Sequence, residues 1–162
     1  MSVTTIILAG GKSSRMGEDK GLMLFEGKPM IQHIIDLAKP LVNHIIIISN
    51  NNAYQKFGYP VFDDCIKDKG PLAGILSGLQ ESTTGKNVAL SCDVPFVTKE
   101  LIELLLSHSE NYDVIIPEKD NQTHQLIGVY KKACIPIIQK ELENDQRKIK
   151  LAIQKLNFKI VN

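Results

Sequence analysis

The sequence has no tryptophan, few cysteines and almost no net charge. Nineteen basic residues balance 18 acidic ones, which leaves a formal charge of +1, and aromatic residues make up only 6% of the chain. Because no overall field attracts polyanions and few rings are available for base stacking, we predict no nucleic-acid partner. Cys65, Cys92 and Cys134 are widely spaced and form no metal-ligand pattern, which favours reduced thiols and a cytoplasmic protein.

Long hydrophobic runs are also missing. The apolar stretch 45–48 is far too short to cross a membrane, and stretch 6–9 is too short for the core of a signal peptide. We therefore predict no membrane partner. A length of 162 residues and an apolar fraction of 43% are sufficient for one domain with its own core, which we take as residues 1–162.

The chain instead shows a regular alternation of strand and helix patterns. Short β-rich runs are followed by segments whose apolar residues recur at helical spacing. The predicted strands are 3–8, 44–49, 61–62, 87–91, 112–116, 126–130 and 158–161. The predicted helices are 30–38, 71–80, 98–105, 133–142 and 148–156. This order predicts an α/β protein with a doubly wound, Rossmann-like, three-layer fold and a mostly parallel sheet.

A glycine-rich, basic segment, ILAGGKSSRMGEDKGL, overlaps the end of the first predicted strand at residues 7–22. Adjacent glycines let backbone N–H groups approach an anion, and basic side chains add positive charge. The residues concerned are Gly10, Gly11, Lys12, Arg15 and Lys20. Their spacing fits neither the Walker A motif nor the Gly-x-Gly-x-x-Gly fingerprint. A triphosphate suits this chemistry best, and a solvated glycine-rich turn is the alternative.

Polar residues follow two of the later predicted strands. Asn50 comes after strand 44–49, and Asp93 comes after strand 87–91. Ligands of doubly wound sheets bind beyond the carboxyl ends of the strands, so we expect both residues near the glycine-rich segment. Simpler interpretations exist for each. Asn50 begins a run of three asparagines typical of a polar turn, and Asp93 could cap the turn before Pro95.

Several segments occur together in a characteristic order. They are Leu8-Ala9-Gly10-Gly11-x-x-x-Arg15-Met16-Gly17-x-Asp19-Lys20, Gly27-Lys28-Pro29-Met30, Ser49-Asn50, Asp63-Asp64, Gly70-Pro71-Leu72-Ala73-Gly74-Ile75 and Ser91-Cys92-Asp93-Val94-Pro95-Phe96. The set resembles the molybdenum cofactor guanylyltransferases, within the nucleotidyltransferase superfamily. The resemblance is strong over about the first hundred residues and weaker through 124–130 and 147–156. The paired glycines and Gly-Pro-Leu-Ala-Gly resemble the guanylyl branch more than the cytidylyl one.

The resemblance implies a fold like that of the nucleotide-diphospho-sugar transferases. It also implies transfer of GMP from GTP to the terminal phosphate of molybdopterin, the organic part of the molybdenum cofactor, with release of pyrophosphate and formation of the guanine dinucleotide. Mg²⁺ would be the cofactor, and other proteins of cofactor biosynthesis would be partners. A phosphate monoester has a second pKa of about 6, so the acceptor needs no general base.

Residue roles are implied in the same way. The residues that would contact the GTP phosphates are Leu8, Ala9, Gly10, Gly11, Arg15 and Lys20. Those that would contact the guanosine part are Asn50 and Asp64, with Asp63 as a neighbouring competitor. Asp93 matches the aspartate that binds Mg²⁺. Arg15, Lys20 and Asp93 are therefore the predicted catalytic residues.

The chain departs from the family pattern in two places. Family members continue past the strand resembling 158–161 to an Asn-x-Asn-Thr-Pro stretch near the active site, whereas this sequence ends at Asn162. The segment around His124 lacks a proline that often follows this histidine. Two alternatives therefore stay open. One is a related nucleotidyltransferase with another nucleotide or acceptor, of cytidylyl or sugar-phosphate type. The other is a GTP-binding protein that delivers the cofactor and transfers slowly.

Overall fold

A mixed but mostly parallel β-sheet organises the chain. The computed structural model describes residues 2–9, 19–66, 69–92, 94 and 97–162. The strands are β1 (Val3–Leu8), β2 (Leu24–Phe25), β3 (Lys28–Pro29), β4 (His44–Ile48), β5 (Val61–Phe62), β6 (Lys86–Ser91), β7 (Val114–Lys119), β8 (Gln122–Thr123), β9 (Ile127–Lys131) and β10 (Phe158–Val161). The α-helices are α1 (Met30–Ala38), α2 (Pro71–Glu81), α3 (Lys99–Ser107), α4 (Ile135–Glu143) and α5 (Ile149–Ile153).

The strand order in the main sheet is β10-β7-β9-β6-β1-β4-β5. The pairs β1–β4, β1–β6, β4–β5 and β7–β10 are parallel. Strand β9 runs antiparallel to both β6 and β7, and the short β8 pairs with β7 outside this path. The predicted mostly parallel sheet is confirmed.

Helices cover both faces of this sheet, so the structure has three layers. Helices α1 and α3 pack on one face, and α2, α4 and α5 pack on the other. Strand β4 shows how the sequence specifies this arrangement. Ile45 and Ile47 face the first cluster, whereas Ile46 and Ile48 face the second. A strand with helices on both faces needs apolar residues at every position, because successive side chains point to opposite faces. The doubly wound, three-layer prediction is confirmed.

Most predicted elements lie within a few residues of their positions, and the differences have local causes. The predicted helix 133–142 begins as a 3₁₀ turn, Lys132–Cys134, and becomes α-helical at Ile135. A proline in the first turn of α4 suits this start, since a first-turn residue has no intrahelical partner for its N–H. The hairpin β2–β3 and strand β8 were not predicted; each of these strands has only two residues, and most of those residues are exposed. In the described ranges, each helix is too short or too polar to span a bilayer.

Helix α2 lies very close to strand β1. A Cβ atom added to Gly78 would overlap Cγ2 of Ile6 and would lie 2.9 Å from its Cδ1. Both residues are buried, and Ile6 is fully inaccessible. Gly78 therefore serves the close packing of α2 against β1.

Gly78→Ala is expected to destabilise the protein by about 1–3 kcal/mol, because the added methyl group forces α2 or β1 to shift in a close-packed core. Chemical denaturation measures the change. Gly85→Ala is the matched control, since a Cβ there has no atom within 4 Å. A loss in Gly78→Ala no larger than in Gly85→Ala would contradict the packing role.

Candidate active site

Strand β1 ends between two parallel neighbours, at the point where the chain changes direction across the sheet. The Ala9 N–H donates to the Ile48 carbonyl at 3.0 Å, and the Cys92 N–H donates to the Leu8 carbonyl at 3.2 Å. Strands β4 and β5 lie on one side of β1, and β6 lies on the other. This topological switch point is where ligands of open α/β sheets bind. The segments that follow β1 and β6 therefore both begin at the expected crevice.

These hydrogen bonds limit what the end of β1 can offer a phosphate. The Ala9 amide is already bonded to Ile48, so it does not point at a ligand as a spare donor. Leu8 is buried, with 8% of its surface exposed. Any amide donors of the glycine-rich segment must therefore come from residues after Ala9. Gly10, Gly11, Arg15 and Asp93, all predicted site residues, lie outside the described residues.

The structure brings Asn50 and Asp64 together. The side-chain carbonyl of Asn50 accepts a hydrogen bond from the Asp64 backbone N–H at 3.1 Å. The turn role belongs to the next residue, because Asn51 Oδ1 accepts from the Ala53 N–H at 2.9 Å and so caps the 3₁₀ helix Asn52–Phe57. Asn50 is thus free of that task and joins the segment after β4 to the segment after β5.

The Asp64 side chain is half-buried against α2, whereas Asp63 is exposed. A Cβ on Gly74 would lie 3.5 Å from Asp64 Oδ1, and the hydroxyl of Ser77 lies 3.5 Å from the same oxygen. The single hydroxyl proton of Ser77 is closer to another acceptor, the Ala73 carbonyl at 2.9 Å. Asp64 therefore gains little from Ser77. Of the two neighbouring carboxylates, Asp64 is the one that α2 half-encloses.

Partial burial is the main influence on the Asp64 carboxyl. Burial raises the pKa of Asp64, the Ser77 hydroxyl lowers it, and the nearby charge of Asp63 raises it further. The pKa therefore stands above its ordinary value, since burial disfavours the charged form. An ionised carboxylate here is costly to the folded state and would gain from a hydrogen-bond donor supplied by a ligand.

The third predicted contact, Lys20, is exposed in the 3₁₀ turn Lys20–Leu22. Asp19 caps this turn, with Oδ1 accepting from the Gly21 N–H at 3.3 Å. The same oxygen accepts a hydrogen bond from the hydroxyl of Tyr54 at 2.5 Å, and the Tyr54 ring is fully buried. Sequence reasoning missed the roles of Tyr54 and Asp19, because no local pattern marks a contact between residues 35 positions apart.

This turn has a glycine at position 21 because its backbone passes close to two side chains there. A Cβ on Gly21 would overlap the Tyr54 hydroxyl and would lie 2.9 Å from Cys92 Sγ. Cys92 is buried, with 5% of its surface exposed. Cys92 is thus a small buried residue beside the Lys20 turn.

His124 and Arg147, in the two segments of weaker resemblance, lie on the carboxyl side of the sheet as well. Arg147 Nε lies 3.2 Å from Asp145 Oδ1, and Lys69 Nζ lies 2.7 Å from the same oxygen, so an exposed ion cluster forms just before α2. His124 is half-buried, and its backbone N–H donates to the Pro117 carbonyl at 3.0 Å.

Two other features do not add to the site. A cleft of about 360 Å³ lies near the amino end of β4, lined by residues that include Thr4, His44, Phe62 and Glu81. It faces away from the carboxyl ends, so we assign the site by topology and side-chain chemistry rather than by this cleft. Within the described part of the chain, no group of three or more His, Cys, Asp or Glu side chains is placed to hold a metal ion.

Residues 5–157 match the family of MobA-like NTP transferase domains. The chain belongs to this family. The probable molybdenum cofactor guanylyltransferase of Flavobacterium johnsoniae is 41% identical over 162 residues, which cover 99% of this chain and 85% of the relative. The protein of the same name from Carboxydothermus hydrogenoformans is 32% identical over 161 residues, 99% of this chain and 82% of the relative. The family resemblance proposed from the motifs is confirmed.

Solved structures agree on the fold. The molybdopterin-guanine dinucleotide biosynthesis protein A of Archaeoglobus fulgidus superposes with a TM-score of 0.80 and 22% identity, covering 97% of this chain and 82% of that one. At this identity the likeness concerns the fold alone. It places the chain among nucleotidyltransferase-like α/β folds, as predicted.

Asp64→Asn is expected to stabilise the fold slightly at neutral pH, by about 1–2 °C in Tm. Because the pKa of Asp64 is higher in the folded state, the folded protein binds this proton more tightly than the unfolded chain does. The stability that protonation adds is complete below the unfolded value of 3.8 and is lost as the pH rises through the raised pKa. The advantage of the neutral amide should therefore shrink as the pH falls towards 3.8.

Thermal unfolding between pH 3.5 and 8 measures this effect. Asp63→Asn is the matched control, because it removes the same charge from the exposed neighbour. Its gain should be smaller. Equal gains in the two variants at every pH would show that net charge, and not the burial of Asp64, is responsible.

Proposed function

We propose that this chain transfers GMP from GTP to the terminal phosphate of molybdopterin, releasing pyrophosphate and forming the guanine dinucleotide cofactor. The observation that carries the proposal is the Asn50–Asp64 pair at the carboxyl edge of the sheet, beside the end of β1. It is supported by the name of the Flavobacterium johnsoniae relative, a probable molybdenum cofactor guanylyltransferase 41% identical to this chain. The proposed setting is cytoplasmic, with molybdopterin handed over by other proteins of cofactor biosynthesis.

GTP would bind across the switch point, with its phosphates beside β1 and its guanosine beside β4 and β5. Gly10 and Gly11 would donate backbone N–H groups to the phosphates, and Arg15 and Lys20 would neutralise their charge. Leu8 and Ala9 would line the crevice at the end of β1 without donating an amide to the phosphates, because the Ala9 N–H is bonded to Ile48. Asn50 and Asp64 would contact the guanosine part. Their oxygens are hydrogen-bond acceptors, which suits the N–H and O–H donors of guanosine.

A divalent cation is part of the proposal, with Asp93 as its protein ligand. Asp93 follows Cys92, whose amide is held by the Leu8 carbonyl at the switch point. Mg²⁺ prefers oxygen ligands, keeps several waters and is usually bound through one or two carboxylates together with substrate phosphates. A single aspartate, Asp93, is therefore a sufficient ligand from this chain. When bound, Mg²⁺ would supply positive charge against the crowded phosphate oxygens.

The reaction mainly requires that the acceptor phosphate and the α-phosphorus of GTP be held in position. The terminal phosphate of the acceptor is already largely dianionic at neutral pH, so it needs no base to attack the α-phosphorus. A phosphorus–oxygen bond forms to the acceptor, and the bond to the bridging oxygen of pyrophosphate breaks in line with it. Lys20 and Arg15 would balance the negative charge that builds on the leaving pyrophosphate. Holding both phosphates in line removes much of the entropic part of the barrier.

The purified protein with Mg²⁺ and molybdopterin is expected to release pyrophosphate with GTP and not with ATP, CTP or UTP. Mass spectrometry of the product should show the guanine dinucleotide. Release with CTP instead would reject the guanylyl assignment and favour the cytidylyl branch. GTP binding without release from any nucleotide would favour a protein that delivers the cofactor and does not make it.

Asp93→Ala is expected to abolish turnover, and Lys20→Ala is expected to lower turnover and to weaken GTP binding as well. Each removes one contact made to charged oxygens in the transition state, which typically costs about 3–4 kcal/mol or a factor of a hundred or more in rate. Pyrophosphate release against GTP and Mg²⁺ concentration measures both. Lys140→Ala, an exposed cation on α4, is the charge-matched control for Lys20→Ala. Normal turnover of Asp93→Ala at saturating Mg²⁺ would refute the metal assignment.

A further inference from the structure

Tyr54 is a fully buried polar side chain that the proposed chemistry does not use. Its ring packs in the core cluster on the α1 and α3 face of the sheet, and its hydroxyl donates to Asp19 Oδ1 at 2.5 Å. Burial and the Asp19 acceptor both raise the pKa of the Tyr54 phenol, so it remains a donor at every physiological pH. A buried tyrosine hydroxyl needs such a partner, and here the partner, Asp19, directly precedes the turn Lys20–Leu22.

Asp19 connects Tyr54 to the turn that carries Lys20. Besides the Tyr54 hydroxyl, its Oδ1 accepts the Gly21 N–H at 3.3 Å, and its backbone carbonyl accepts the Leu22 N–H at 3.0 Å. Gly21 is buried against the Tyr54 hydroxyl, with no room for a side chain. The turn is therefore bonded to Tyr54 on one side and in close contact with it on the other.

Tyr54 is also tied to the segment that carries Asn50. The Tyr54 N–H donates to the Asn51 carbonyl at 3.3 Å, and Asn51 Oδ1 accepts from the Ala53 N–H at 2.9 Å. The Asn51 N–H donates in turn to Ser49 Oγ at 3.1 Å. Asn50 lies inside this hydrogen-bonded run and holds the Asp64 amide. Hydrogen bonds, together with the covalent chain between Ser49 and Tyr54, thus link the Lys20 turn to the Asn50–Asp64 pair.

We propose that Tyr54 is a positioning residue that sets the distance between Lys20 and the Asn50–Asp64 pair through its hydrogen bond to Asp19. One nucleoside triphosphate would then contact Lys20 with its phosphates while its nucleoside reaches Asn50 and Asp64. The inference rests on the proposed function, because it takes these three residues as nucleotide contacts. Tyr54 itself touches no substrate in this arrangement.

The competing explanation is that Tyr54 only fills the core. The two explanations differ in whether Tyr54 and Lys20 are energetically coupled. A core residue would change stability without changing what Lys20 contributes to binding. A positioning residue would change that contribution, and a double-mutant cycle measures this difference.

The experiment is GTP binding by isothermal titration calorimetry to the wild-type protein, Lys20→Ala, Tyr54→Phe and the double variant. Lys20→Ala should weaken binding at least about tenfold in the wild-type background, as expected for a hydrogen bond to a charged group. In the Tyr54→Phe background the same change should weaken binding less than about threefold, because the turn no longer holds Lys20 in place. An equal factor in both backgrounds, or no effect of Lys20→Ala at all, would overturn the proposal.

Asp19→Ala provides a second test of the same link, because it removes the acceptor of both the Tyr54 hydroxyl and the Gly21 N–H while the Tyr54 ring stays in the core. Asp19→Ala should reduce the factor by which Lys20→Ala weakens GTP binding, as Tyr54→Phe does. Asp19→Asn keeps an acceptor oxygen and should largely preserve that factor. Tyr130→Phe is the matched control. Tyr130 is also fully buried, and its hydroxyl donates to the Gln125 carbonyl at 2.7 Å. This control should change Tm and leave unchanged the factor by which Lys20→Ala weakens GTP binding.

A failure of the positioning role can be distinguished from a failure of the proposed function. If the wild-type protein binds CTP or ATP in place of GTP, the guanylyl assignment fails, and the same cycle with that nucleotide still decides the role of Tyr54. If binding occurs without pyrophosphate release, the transferase reaction fails while the coupling remains measurable. If no nucleoside triphosphate binds, the positioning role is overturned together with the function on which it rests.

Discussion

The parallel pairing of β1 with β4 on one side and β6 on the other is the constraint on which the candidate site depends. It places the carboxyl ends of three strands at one edge, with the Ala9–Ile48 and Cys92–Leu8 hydrogen bonds closing the last rungs. A shift of β1 by one residue would turn Ile6 away from Gly78 and reverse the two faces of the strand. The close contact between α2 and β1 therefore helps to fix the register that gathers the loops.

The residues proposed to bind the nucleotide come from separate segments, and hydrogen bonds between those segments give them a common frame. Asn50 holds the amide of Asp64, while Tyr54 and Asp19 hold the turn of Lys20. A neutral bond of this kind contributes about 0.5–1.5 kcal/mol, and one to a charged group about 1.5–3 kcal/mol. Their value lies in geometry, because reaction in line between two phosphates tolerates little misplacement. Asp64, by contrast, lowers the stability of the folded state. Its raised pKa shows that the half-buried, ionised carboxylate is unfavourable, and a hydrogen-bond donor on a bound ligand would relieve this cost.

The order of elements and the family were predictable from the sequence, and much of the site was not. The run Asn50-Asn51-Asn52 left the role of Asn50 open, and the structure assigns the cap to Asn51 and the Asp64 contact to Asn50. Of two adjacent aspartates, α2 half-encloses Asp64. Tyr54 carried no signal, because its partner lies 35 positions away in a different loop. The roles of Gly10, Gly11, Arg15 and Asp93 remain predictions from the motifs.

The sequence by itself determined the alternation of strands and helices, the two-sided burial of β4 and the chemistry of the segments after the strands. These are local properties, since apolar periodicity, capping residues and glycine pairs act over a few positions. The tertiary structure alone decided which of those segments meet. Contacts such as Tyr54 with Asp19 depend on strand order and register, and these arise only when both faces of the sheet are buried together.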